Sequence, residues 1–151
     1  MFQAKQFVLR AVYGLTCGRP LVRFNFSLSA LIATVGLFVA LVLLATAGAG
    51  LGWIRSFLGD VIAVIFVYSA FRIVIDGNRA LLAVAAFLVG VAVELGQYLA
   101  KLTGVEIGNR ALRIILGATP DWLDVLAYGI GAALIITCLE LRRRLKFSRR
   151  A

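Results

Sequence analysis

At 151 residues, 62% of them hydrophobic and with a mean hydropathy of +1.00, the chain is far more apolar than a soluble domain, which is about 45–50% apolar. Its net charge of +9 is carried almost entirely outside the apolar runs, which points to the flanks of membrane segments rather than to a nucleic-acid surface. The length allows one domain, and two distant cysteines with no C-x-x-C and no histidine argue against zinc and haem, so no metal and no cofactor is expected.

Residues 1–26 mix Phe2, Phe7, Val8, Leu9, Val12 and Tyr13 with Lys5 and Arg10. Two readings stay open for this basic segment: a partly ordered tail, or an amphipathic helix on an anionic leaflet. Four apolar runs follow, each long enough to cross about 30 Å of hydrocarbon, which takes roughly 20 helical residues. They cover about Ser27 to Ala47, Phe57 to Ile75, Ala80 to Ala100 and Asp121 to Leu141. In a bilayer each segment has to satisfy its own backbone N–H and C=O groups, so helices are expected. The expected fold is all-α: a polytopic integral membrane four-helix bundle over residues 27–141, followed by a basic tail at 142–151.

The connections carry their own signals. Asp76-Gly77-Asn78 reads as a turn between the second and third spans. Asn109 to Leu116 reads as a short interfacial helix that sets Arg110 beside Arg113 at i, i+3. Thr119-Pro120-Asp121 reads as N-cap, N1 and N2 of the fourth helix. Trp53 and Trp122 fall at helix edges, where indoles favour the headgroup zone. Of the 16 Lys and Arg, 12 lie on the side of both termini and four on the other, so both termini are expected in the cytoplasm.

Three carboxylates, Asp60, Glu94 and Asp124, stand inside or at the lip of these runs. A charge at such depth costs about 2.5–3.5 kcal/mol even on lenient insertion scales, so each marks a candidate site facing a bundle interior. Glu94 lies about 14 residues into an outward-running helix, or roughly 21 Å, which brings it to the outer third with the other two. Helical spacing aligns Glu94, Gln97, Tyr98 and Lys101 on one face, Asp121, Asp124, Tyr128 and Gly131 on another, and Asp60, Val64, Tyr68 and Arg72 on a third. The small residues Ala92 with Gly96, and Ala127 with Gly131, are expected to let backbones approach.

The candidate site is therefore Asp60, Glu94, Gln97, Arg110, Arg113, Asp124 and Tyr128, with the loop arginines as counter-charge. It reads equally as a structural network or as a pocket for a lipid headgroup, a cation or another outer-face ligand. For Asp60 alone, and for Asp121, helix capping is the plainer reading.

Glu94-x-x-Gln97, the loop Arg110, and Asp124 followed by Gly131 resemble the VanZ-like membrane proteins. The stretch from Leu116 to Tyr128, with Gly59-Asp60-Val61 opening the second helix, looks closer to an uncharacterised bacterial family, domain of unknown function 2809. Tyr128 stands where many VanZ-like proteins have Asn, a departure in the polar chemistry. The resemblance implies the bacterial inner membrane, a small bundle, and outer-face business with envelope components, since VanZ-like proteins are associated with teicoplanin resistance.

Three functions compete. The first is a binding or accessory protein whose partners are membrane lipids or an envelope-related ligand. The alternative is a proton- or ion-coupled transport component, because intramembrane acids suit proton relays. Catalysis is not expected: the chain has no histidine and no activated Ser or Cys arrangement, and no catalytic residue is assigned. The sequence leaves the oligomeric state open.

Overall fold

The computed structural model describes residues 22–103 and 121–148. The first 21 residues, the expected interfacial helix with Arg110 and Arg113, and the Thr119-Pro120 cap lie outside the described residues. Val22–Phe24 forms β1, Leu28–Ala47 α1, Trp53–Val74 α2, Ile75–Gly77 β2, Arg79–Thr103 α3 and Trp122–Ser148 α4. The four long helices among the described residues are each long and apolar enough to cross a membrane, consistent with a multi-pass membrane protein.

The helix ends differ from the sequence expectation for local reasons. α2 begins at Trp53 instead of Phe57. Gly52, at φ 53°, ends the 3-10 turn Gly48–Leu51 in a conformation that suits glycine, and no breaker stands beyond it. Arg55 then donates to the Ala45 carbonyl (3.2 Å), tying the start of α2 to the end of α1. α4 continues past Leu141 to Ser148. Basic side chains favour a helix C-terminus, and Arg143 pairs with Glu140 one turn back at 3.1 Å.

Asp76-Gly77 is a strand rather than a simple turn. β1 and β2 pair antiparallel with Arg23 opposite Asp76. The Asn25 and Ser27 amides extend this pairing, donating to the carbonyls of Val74 (3.0 Å) and Ile73 (2.8 Å). The strand pair thus takes up carbonyls that the last turn of α2 would leave open. Asn78 follows as the cap of α3, its Oδ1 accepting from the Ala80 amide at 3.0 Å. On α4 Asp121 caps the helix as expected: its carboxylate accepts from the Leu123 amide at 3.0 Å.

α2 is the central helix. It packs on α1 along one side and on α3 and α4 along the other. The core joins Val64 (2% exposed), Ala83, Ala86, Tyr128, Ala132 and Ile135. Ala127 is wholly buried, and Gly131 lies so close to α2 that a Cβ there would stand 2.9 Å from the Val61 carbonyl oxygen. On α3 the expected small pair is corrected. Ala92 and Gly96 are exposed, with open space beside Gly96, and the packing stripe is Ala83, Ala86 and Gly90. α1 is fixed to α2 where Thr34 (2.8 Å) and Ser69 (3.4 Å) both donate to the Ala30 carbonyl. Its other face exposes Ile32, Val39 and Leu43, as a lipid-facing helix does.

Candidate functional site

Three helices deliver polar side chains to the end of the bundle marked by Trp53 and Trp122. Both indoles are exposed, Trp122 at 88%, which suits the membrane interface. Glu94 comes from the C-terminal half of α3 and is only 7% exposed. Its Oε2 accepts the Asp121 backbone amide at 3.2 Å, and its Oε1 accepts the Tyr128 hydroxyl at 3.5 Å. One buried carboxylate therefore joins α3 to the start of α4.

Asp60 is not a capping residue. α2 starts seven residues earlier, so Asp60 stands about 10 Å inside the helix and half-buried. Its carboxyl interacts electrostatically with Asp124 and Glu94 and with the Tyr128 hydroxyl. Its Oδ2 is buried and has no hydrogen-bond partner among the described residues. Asp124, in the first turn of α4, is half-buried and interacts with Asp60 and Glu94 in turn. The structure thus brings Asp60, Glu94, Asp124 and Tyr128 together. Gln97 is buried one turn further along α3, whereas Tyr98 and Lys101, expected on the same face, are exposed.

Gly90 belongs to this site and escaped the sequence reading. A Cβ there would lie 2.7 Å from Cδ2 of Tyr128, so the absent side chain is what seats the phenol against α3. The available signal was its position one turn inward from Glu94 on the same face.

Ionised carboxylates a few ångströms apart repel by roughly 4 kcal/mol per pair near a protein surface. Among the described residues no Lys or Arg forms an ion pair with these acids. Compensation has to come from shared protons, a bound cationic group or an arginine. Among the described residues no His, Cys, Asp and Glu side chains are grouped to hold a metal ion.

A family model described as a protein of unknown function, DUF2809, matches residues 49–132. The match covers more than half of the chain, and the chain belongs to that family. It spans all three acids and Tyr128. No curated protein and no solved structure matches the chain.

Proposed function

We propose that this member of the DUF2809 family is a binding or accessory protein of the bacterial inner membrane, VanZ-like in its arrangement. Its outward-facing polar site would take the positively charged part of an envelope-related ligand or lipid headgroup. One observation carries this reading: three carboxylates from three helices meet, and Asp60 Oδ2 is buried there with no hydrogen-bond partner among the described residues. A cationic group would relieve the repulsion and supply the hydrogen bond together.

The test is native mass spectrometry of the detergent-purified protein, wild type beside Asp124→Asn and Glu94→Gln. A species retained by the wild type and lost from folded variants supports the site and identifies its chemistry. A wild type that retains nothing overturns the binding reading, and unstable variants would then assign the acids to holding the bundle together. Orientation is part of the proposal and follows the Lys and Arg distribution. A reporter fused to Ala151 is expected to work only inside the cell; activity only outside reverses the assignment.

The alternative is a proton- or ion-coupled transport component. It needs a polar route from the acids to the other face. Val64, Ala83, Ala86 and Ile135, all buried, put an apolar layer in that direction. Proteoliposomes that dissipate a pH gradient would favour this alternative over the binding site.

A further inference from the structure

At the end of the bundle opposite the acids, a cavity of about 440 Å³ opens between the start of α3 and the last turns of α4. Its rim carries Arg79 from α3 and Arg142, Arg143 and Lys146 from α4. Among the described residues Glu140 is the sole acid on the rim, and it pairs with Arg143 at 3.1 Å. Asp76, just before the cavity, is held by Arg72 at 3.5 Å. Arg79, Arg142 and Lys146 form no ion pair among the described residues. The cavity also lies at the N-terminus of α3, the positive end of a 25-residue helix. Its inner wall is different in kind: Ile136 and Leu139 line it on the side toward the middle of α4. The volume falls within the ordinary range for small-molecule sites.

We infer that this cavity is a binding site for the phosphate headgroup of an anionic phospholipid. Arg79 and Arg142 offer guanidinium forks that match phosphate oxygens, and Lys146 adds a point charge one turn from Arg142. A soluble phosphate would use only the rim. A lipid also uses the apolar wall, because its glycerol and first acyl carbons pass Leu139 and Ile136 as they enter the hydrocarbon. The basic end of a membrane helix otherwise draws anionic lipids loosely; a half-open cavity whose rim carries three cations in no ion pair among the described residues holds one headgroup in place. This site is separate from the acidic cluster and does not depend on the function proposed for it.

The experiment is lipid titration of the delipidated full-length protein by native mass spectrometry, with phosphatidylglycerol against phosphatidylcholine. The variants are Arg142→Gln/Lys146→Gln and the charge-preserving Arg142→Lys/Lys146→Arg. Wild type is expected to retain phosphatidylglycerol in preference. The neutralised pair should lose about 25-fold in apparent affinity, at roughly fivefold per cation near an anionic headgroup, and the charge-preserving pair should recover most of it. Equal binding of the two lipids by wild type, or unchanged phosphatidylglycerol retention in the neutralised pair, overturns the site. Millimolar inorganic phosphate that displaces the lipid completely would make the cavity a soluble-phosphate site and overturn the lipid assignment. Both pairs change exposed side chains, so their melting temperatures should match wild type, and a neutralised pair that loses lipid only by melting early counts against the proposal.

Discussion

Replacing Gly131 with Ala tests how closely α2 and α4 approach. The added Cβ would stand 2.9 Å from the Val61 carbonyl oxygen and 3.2 Å from Val64 Cβ. The first contact is about half an ångström inside ordinary van der Waals distance and falls on backbone, which has no rotamer to escape into. Overpacking of this kind costs about 1–3 kcal/mol. Glycine to alanine in a helix interior also gains up to about 1 kcal/mol from propensity, which would mask part of the effect. Gly96→Ala removes that ambiguity. It makes the same exchange inside α3 with nothing within 4 Å of the new Cβ, so the propensity gain appears in both variants and cancels in their difference. At about 2–4 °C per kcal/mol for a chain of this size, Gly131→Ala should melt about 2–12 °C below Gly96→Ala in the same detergent. The assay is a thermal melt of the purified variants followed by retention on size exclusion. Equal melting temperatures would refute the close approach of α2 and α4.

Gly90→Ala should leave membrane insertion intact while pushing the Tyr128 ring, 2.7 Å from the new Cβ, away from α3. It would weaken the Tyr128–Glu94 hydrogen bond, and ligand retention should fall in parallel with Glu94→Gln; a Gly90→Ala protein with wild-type retention would remove Tyr128 from the site. Asp121→Ala removes the carboxylate that caps α4 at 3.0 Å and should cost about 0.5–2 kcal/mol of stability. The bond from the Asp121 amide to Glu94 survives that change, so ligand retention should hold, and its loss would show that the cap also shapes the pocket.

The helices were legible because bilayer physics restricts a span to a long apolar segment with internally satisfied backbone. The meeting of Asp60, Glu94 and Asp124 was legible because a carboxylate has few tolerable places at that depth. Which small residues face a neighbour was not legible. Small residues stand on both faces of α3, so their spacing alone does not separate the protein-facing stripe of Ala83, Ala86 and Gly90 from the exposed Ala92 and Gly96. The paired strands were missed for another reason. Each has three residues, and their pairing joins positions about fifty apart in sequence, beyond the reach of local periodicity. The capping role of Asp121 was legible because a short carboxylate at a helix start suits the orphan amides there, and its bond from the Leu123 amide bears this out.

Charge placement separates the residues that helix physics explains from those it does not. α4 carries Asp124 in its first turn and Lys146 in its last, the arrangement its own dipole favours. Asp121 is accounted for by its capping bond, and Arg55 by its bond to the end of α1. Asp60 and Glu94 have no such account. Asp60 is two turns into α2, beyond the reach of the positive end. Glu94 stands in the half of α3 nearer its negative end, where the dipole opposes a carboxylate. The Asp121 amide and the Tyr128 hydroxyl offset part of that cost for Glu94, while Asp60 Oδ2 has no hydrogen-bond partner among the described residues. The case for a ligand therefore rests most heavily on Asp60, and least on Asp124, which the first turn of α4 would tolerate with nothing bound.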